Sequence, residues 1–179
     1  MMTYVALLRG VNVAGKNKIG MPELAKSCEA LGYSDVRSYL QSGNLVFVAQ
    51  GSASDVAAAL KARIAQDFAH EIEVLVLPAD ELEQVLAASP LRAQDEKFCH
   101  ATFMFRHISE TRFAELALPL AEGEKAVLVG RVVLLHCPHG YAKSKLNTRY
   151  FETHLGVTAT TRNLRTVRAL RDLSAPKAK

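Results

Sequence analysis

The alternation of apolar and polar positions in the first half of the chain predicts the order β-α-β-β-α-β. Helical spacing predicts one helix beginning near Pro22 and a second helix with Val56, Leu60, Ile64 and Phe68 on its core face. Short apolar, β-branched runs bounded by turn residues predict strands. These strands cover residues 3–9, 36–40, 45–49 and 72–77.

The same order returns after a predicted connecting helix that carries Leu82, Val85 and Leu86. Strands are predicted over 98–105, on both sides of a turn at Gly130-Arg131, and over 157–161; helices are predicted after Ser109, after Ser144 and at the end. This pattern predicts an α+β fold of two ferredoxin-like (βαββαβ) halves, each an antiparallel sheet with helices packed on one face. We expect residues 1–90 to form the first half with its connecting helix, and residues 91–179 to form the second half with a C-terminal helix.

Composition narrows the class of protein. The 179 residues are 49% hydrophobic and 22% charged, which is enough apolar surface for a buried core. No apolar run approaches the roughly 20 residues that a membrane helix needs, and the opening MMTYVALLRG indicates a first strand rather than a signal peptide. Three cysteines without a framework spacing fit a reducing compartment. We therefore expect a cytoplasmic protein that does not enter a membrane.

Positive charge is concentrated in two segments. Residues 143–171 hold seven Lys or Arg residues against the single acid Glu152, and residues 9–18 hold Arg9, Lys16 and Lys18 with no acid, while the net charge is only +4. Such clustering favours an anionic partner. The alternative is a basic surface that faces only solvent.

The early basic segment resembles a nucleotide-binding loop without matching it. LLRGVNVAGKNKIG (7–20) contains Gly, four residues, Gly and Lys, but Asn17 stands where a phosphate loop has Ser or Thr. Gly20 and Pro22 also delay the predicted helix, so backbone N–H groups would not meet a phosphate beside Lys16. Two interpretations remain: a tight turn with solvated lysines, and an anion site without that geometry.

The late basic segment places cations where two helices are predicted to begin. Lys143 and Lys145 flank Ser144, the predicted cap of one helix, and Arg162 and Arg165 lie beside possible caps of the last helix, Thr161 and Asn163. Cations are mildly unfavourable at a helix N-terminus. A bound phosphate or carboxylate would reverse that effect, whereas solvent-facing helix ends would explain it without a ligand.

Two long segments resemble a known family. ALLRGVNVAGKNKIGMPELAKSCEALGYSDVRSYLQSGNLVF (6–47) and KSKLNTRYFETHLGVTATTRNLRTV (143–167) are similar to the bacterial family of domain of unknown function 1697. The resemblance implies two ferredoxin-like halves and supplies no activity. Leu164 departs from the tryptophan that similar proteins often carry. The positions matching the family's motifs are Arg9, Gly10, Asn12, Gly15, Lys16, Asn17, Lys18, Gln41, Ser42, Gly43, Asn44, Ser144, Lys145, Thr161, Arg162, Asn163 and Thr166.

Other groups of residues give weaker evidence for a functional site. Cys99, His136, Cys137 and His139 lie at strand ends that a ferredoxin-like half brings together, so a zinc site is conceivable, but Cys99 and His100 point to opposite faces. Buried cysteines beside an exposed histidine are the commoner arrangement, and we predict no metal and no cofactor. No motif identifies catalytic residues.

The leading hypothesis is a binding module for a phosphorylated ligand, nucleotide or nucleic acid. Arg9, Lys16 and Lys18 would neutralise charge, and Gln41 and Asn44 would orient the ligand. The remaining ligand-binding candidates are Asn12, Asn17, Ser42, Ser144, Lys145, Thr161, Arg162 and Asn163. The alternatives are an enzyme acting on a small phosphorylated or carboxylated substrate, and a protein-interaction module that uses the open face of either sheet.

Overall fold

The computed structural model describes residues 1–91 and 94–176. The first part of the chain forms β1 (Met2–Leu8), α1 (Met21–Ala30), β2 (Ser34–Ser38), β3 (Asn44–Ala49), α2 (Ala53–Phe68), β4 (Val74–Pro78) and α3 (Ala79–Ala88). The second part forms β5 (Cys99–Met104), α4 (Glu110–Ala114), β6 (Lys125–Val129), β7 (Val132–His136), α5 (Thr148–Leu155), β8 (Ala159–Asn163) and α6 (Leu164–Ser174). One-turn 3-10 helices cover Glu96–Phe98 and Tyr141–Lys143.

The strands form two four-stranded sheets, with the orders β2-β3-β1-β4 and β6-β7-β5-β8. Every pair of neighbouring strands in both sheets is antiparallel. In each sheet the first and third strands of the half are central, which is the strand arrangement of a βαββαβ unit. The predicted α+β fold of two ferredoxin-like halves is therefore confirmed.

The chain divides into two compact units. One comprises Met1–Glu83 with Ala169–Lys179, and the other comprises Gln84–Arg168. The predicted domain boundary at residues 90 and 91 stays a prediction. Within the described residues, no helix combines the length and the apolar character needed to cross a membrane.

The core of the first unit lies between its sheet and helices α1 and α2. Leu8 and Phe47 of the sheet pack with Leu24 of α1 and Leu60 of α2. Residues that alternate with these on the strands, such as Val5 and Val46, point to the opposite face, and they too are buried. At Val5 and Val46 this face is therefore covered, whereas Val48, which points the same way as Val46, is half-buried.

The core of the second unit follows the same plan. Met104 and Leu135 of the sheet pack with Phe151 and Leu155 of α5. Phe103, on the opposite face of the sheet, is also buried. A protein-interaction module of the kind considered above needs an open sheet face. At these positions neither sheet offers one.

Candidate functional site

The loop between β1 and α1 folds into a small hairpin. Val13 and Lys16 pair in an antiparallel bridge, and the backbone N–H of Lys16 donates to the carbonyl of Val13 at 2.9 Å. The two residues of the turn, Ala14 and Gly15, both have left-handed φ angles of 49° and 75°. Two consecutive positive φ angles characterise a type I′ turn, whose first position here is occupied unfavourably by alanine.

Two asparagine side chains hold this hairpin in place. Asn12 donates to the carbonyls of Ile19 at 2.9 Å and Gln41 at 2.7 Å, and its Oδ1 accepts from the backbone N–H of Ile19 at 2.9 Å. Asn17 donates to the carbonyl of Gly10 at 3.0 Å. Both side chains were predicted as ligand-binding groups. In the structure both form hydrogen bonds with the backbone of their own unit.

The segment before β3 meets the loop, as the bond from Asn12 to Gln41 shows. Asn44 is buried and donates to the carbonyl of Tyr39 at 2.8 Å and to the hydroxyl of Ser42 at 2.9 Å. A Cβ atom on Gly43 would lie 2.7 Å from the Cβ of Leu8, so only glycine permits this close approach. Ser42, Gly43 and Asn44 therefore shape the turn that carries Gln41.

A groove of about 500 Å³ lies between these two segments. Lys18 and Gln41 contribute its long polar side chains, and both are exposed. Arg9 and Lys16, from the same loop, are exposed as well. The residues that line the groove are Asn12, Gly15, Lys18, Ile19, Gly20 and Gln41.

The groove does not have the geometry of a nucleotide-hydrolase loop. Helix α1 begins at Met21 rather than at Lys16. Its N-cap is Gly20, which has no side chain to accept a capping hydrogen bond. A Cβ atom on Gly20 would lie 2.0 Å from Oε2 of Glu23, so this carboxylate lies against the start of the helix. The carboxylate of Glu23 therefore already interacts with the positive end of the α1 dipole. An anionic ligand would be attracted mainly by the lysines.

The structure corrects the prediction that Ser144 caps a helix. Helix α5 begins at Thr148, and its cap is Asn147, whose Oδ1 accepts from the backbone N–H of Tyr150 at 3.0 Å. Ser144 instead follows a one-turn 3-10 helix, and its buried hydroxyl accepts from the backbone N–H of Leu146 at 3.1 Å. The exposed Lys143 and Lys145 therefore do not flank the start of a helix.

Arg162 likewise is not at a helix start. It lies on β8, and its side chain is buried, with Nη1 donating to Thr160 Oγ1 at 2.7 Å and to the carbonyl of Thr161 at 3.0 Å. Burial lowers the pKa of Arg162 to about 10 because the charged form loses solvation. A buried, hydrogen-bonded guanidinium supports the sheet.

The end of β8 does lead directly into the last helix. Asn163 Oδ1 accepts from the backbone N–H of Arg165 at 2.9 Å, and its Nδ2 donates to the carbonyl of Lys97 at 3.1 Å. Arg165 lies in the first turn of α6 and forms a 3.8 Å ion pair with Asp95. Leu164, which stands where similar proteins often carry tryptophan, is buried and packs rather than facing solvent.

The second unit contains a cluster of hydroxyl groups that was not predicted from the sequence. Thr161 Oγ1 lies 2.8 Å from Thr102 Oγ1 and 2.7 Å from Thr148 Oγ1, and Thr148 Oγ1 lies 3.3 Å from the hydroxyl of Tyr141. The ring of His100 stacks on Tyr141 with centroids 4.5 Å apart. The sequence feature that could have indicated this cluster is the pair of polar residues His100 and Thr102 at alternate positions of a predicted buried strand.

The histidine of this cluster is held in its neutral form more strongly than usual. Burial lowers the pKa of His100, and the backbone carbonyl of Phe98 opposes part of that shift. Its Nδ1 is buried and has no well-aligned hydrogen-bond partner among the described residues. Such a histidine resists protonation in the folded state.

The cysteines and histidines considered for zinc lie in different environments. Cys99 pairs with His136 across β5 and β7, as strand geometry predicts, while Cys137 belongs to the apolar core and His139 contacts the carbonyl of Glu122. Burial raises the pKa of the Cys99 and Cys137 thiols, so both favour the protonated form. Across residues 1–91 and 94–176, no three His, Cys, Asp or Glu side chains are grouped as a metal ion would require.

The model of a protein family of unknown function, DUF1697, matches residues 1–134, well over half of the chain. The chain belongs to the DUF1697 family. The expected family is confirmed, and the matched region includes the first of the two resembling segments, with the whole lysine-bearing loop and the turn at Gln41. The second segment, 143–167, lies outside the matched region. No protein with curated annotation matches the chain.

A solved structure shares the fold of this DUF1697 member. It is the conserved bacterial protein SP0830 from Streptococcus pneumoniae, 24% identical, with a TM-score of 0.76 over 97% of this chain and 98% of that chain. At this level of identity the likeness shows the fold alone.

Proposed function

We propose that this DUF1697 protein binds a small phosphorylated ligand in the groove between the β1–α1 loop and the turn at Gln41. The observation that carries the proposal is a groove of about 500 Å³ whose loop bears Lys16 and Lys18 and no acidic residue from 9 to 18. Its volume lies within the range of small-molecule sites, roughly 300–1,000 Å³. A multiply charged phosphate gains most from two exposed ammonium groups near one wall.

The candidate residues in and around the groove divide into supporting and contacting groups. Asn12, Asn17 and Asn44 already hydrogen-bond to protein groups, so they fix the walls. Lys16, Lys18 and the side chain of Gln41 are exposed and are the proposed contacts. Gly15 also lines the groove, where the lack of a side chain lets a ligand approach the backbone.

The candidates in the second unit receive a structural role in this proposal. Ser144, Thr161, Arg162 and Asn163 make hydrogen bonds inside their own unit. Lys145 is exposed, but it does not sit at a helix N-terminus that could share an anion with it. The proposed site is therefore confined to the first unit.

Binding is favoured over catalysis because of what lines the groove. Among its lining residues, all of them described, Lys18 is the one titratable side chain. General acid–base catalysis needs a positioned group that can exchange a proton near neutral pH, and the groove lining offers one candidate only. The enzyme alternative would have to rely on Lys18 or on the nearby carboxylate of Glu23, and neither is accompanied by a second titratable side chain in the groove lining.

A titration panel tests the proposal. Inorganic pyrophosphate, nucleoside mono- and diphosphates, sugar phosphates and a short RNA are added separately to the wild type, and binding is followed by thermal shift and calorimetry. We expect at least one phosphorylated compound to stabilise the protein more than sulfate does. Lys16→Gln and Lys18→Gln should each weaken that binding, while Lys125→Gln, an exposed lysine on β6, should leave it unchanged.

Salt distinguishes a small ligand from a nucleic acid. Binding of extended RNA falls steeply with salt because many counterions are released, whereas a ligand with one or two phosphates should respond weakly. Stabilisation by every compound at or below the sulfate level would refute the proposal. If RNA alone binds, with an affinity that falls steeply as salt increases, the groove would be a nucleic-acid site instead.

A further inference from the structure

A second cavity in the first unit lies on the β2 edge of the sheet, away from the groove residues. Its volume is about 340 Å³, at the lower end of the range for small-molecule sites. Asp35 and Arg37 of β2 provide its charged groups, and Val46, Val48 and Leu173 provide apolar surface. Ser174, at the end of α6, also lines it.

Arg37 is only partly satisfied by the protein. Its Nη1 donates to the carbonyl of Leu173, which fixes the orientation of the guanidinium. Its Nε is buried and closed to the cavity. Arg37 nevertheless lines the cavity, and a guanidinium carries a second Nη group. A guanidinium can offer two N–H groups to the two oxygens of a carboxylate.

Asp35 brings an opposite charge to the same cavity. The register of β2 against β3 shifts between Ser34 and Arg37, and Asp35 in this irregular stretch has a left-handed φ of 50°. Aspartate tolerates this left-handed conformation better than most residues, and a bulge changes the direction in which a side chain points. The side chain of Asp35 is exposed and remains able to accept from an ammonium group.

We propose that this cavity binds a free amino acid with an aliphatic side chain. Arg37 would hold the ligand carboxylate, Asp35 its ammonium group, and Val46, Val48 and Leu173 its side chain. The balance of one cation and one anion matches a zwitterion better than a phosphorylated compound. The inference does not depend on the groove at Lys18, because the two cavities share no lining residue.

Calorimetry with L-leucine tests this inference in the full-length protein. We expect saturable binding, and we expect no binding of 3-methylbutylamine, which lacks the carboxylate. Arg37→Lys keeps the charge but loses the two-oxygen geometry, so the affinity should fall about tenfold or more. Asp35→Asn should weaken leucine but not 4-methylpentanoate, which lacks the ammonium group.

An NMR titration of the wild type makes the test independent of variant stability. Leucine should shift the backbone amides of residues 35–37 and 173–175 and leave those of residues 12–20 unmoved. Absence of saturable leucine binding, or binding that Arg37→Lys leaves intact in a folded variant, would overturn the inference. Leucine shifts confined to the groove residues would overturn it as well.

Discussion

The side-chain amide of Asn12 donates to the backbone carbonyl of Gln41 at 2.7 Å, joining two segments that are 29 residues apart. The same amide donates to Ile19 and accepts from its N–H. One side chain therefore fixes both walls of the groove to each other. Its left-handed φ of 54° is a conformation that asparagine tolerates better than most residues.

Asn12→Ala should destabilise the first unit by about 1–3 kcal/mol, since it removes the partner of the partly buried backbone groups of Ile19 and of the exposed carbonyl of Gln41. Urea unfolding measures this change, and hydrogen exchange at the amide of Ile19 should speed up. Gln41→Ala is the matched control, because it keeps the accepting carbonyl and should change stability little. Equal losses in the two variants would contradict the bracing role of Asn12.

Ala14→Gly should stabilise the protein by up to about 1 kcal/mol, because a left-handed alanine costs roughly 1–2 kcal/mol and the entropy cost of glycine offsets part of that. Gly15→Ala should have the opposite effect. A Cβ atom at Gly15 would meet nothing within 4 Å, so its cost is conformational and not steric. Thermal unfolding of both variants provides the measurement, and changes of the same sign would show that the turn does not keep this geometry.

Thr161→Val should destabilise the second unit by about 1–3 kcal/mol, because the hydroxyls of Thr102 and Thr148 both lose a partner. Thr161→Ser keeps the hydroxyl and should cost less. The double variant Thr102→Val/Thr161→Val removes both ends of one hydrogen bond, so its loss should be smaller than the sum of the single losses. Additive losses in a double-mutant cycle would argue against a coupled hydroxyl cluster.

The pH dependence of stability should carry a contribution from His100. Its pKa is lowered from the ordinary 6.5 in the folded state, so the unfolded chain binds the proton more readily as pH falls. Stability should therefore decrease as pH falls through the unfolded value toward the folded one, and His100 should add no dependence above it. The loss of unfolding free energy between about pH 7.5 and about pH 5.5 should be smaller in His100→Gln than in the wild type. An identical loss in both proteins would contradict the assignment.

The sequence predicted the fold well because its signals are local. Short apolar, β-branched runs mark most of the strands, and Pro22 and the turn at Gly130-Arg131 mark element ends that the structure keeps within a few residues. Competition between neighbouring polar residues was harder to resolve. Ser144 and Asn147 are both good N-cap residues, but the backbone of Ser144 ends the one-turn helix Tyr141–Lys143 and its hydroxyl accepts from Leu146. Helix α5 begins only after Asn147.

The candidate site could be predicted only in part. Exposed charges such as Lys16 and Lys18 follow from composition and loop position, and they lie where the sequence suggested. The groove itself depends on bonds between distant segments, such as Asn12 with Gln41, which no local pattern reveals. A motif position also does not say whether a side chain faces a ligand or the protein, and Asn12, Asn44 and Arg162 all face protein groups.

Glu23 provides a test of the electrostatics of the groove. Its carboxylate lies against Gly20, which lines the groove, and it should repel a phosphorylated ligand. Glu23→Gln should therefore strengthen phosphate binding, whereas Lys18→Gln should weaken it, both measured by calorimetry at low salt. The same direction of change in both variants would show that charge does not govern binding there.

The most direct test of the central proposal is a backbone amide NMR titration with inorganic pyrophosphate, performed on the wild type and on Lys16→Gln/Lys18→Gln. The proposal predicts saturable shifts at residues 12–20 and 41–43 in the wild type and their loss in the double variant. Shifts centred elsewhere in the chain, or no saturable shift at all, would contradict a phosphate-binding groove in the first unit.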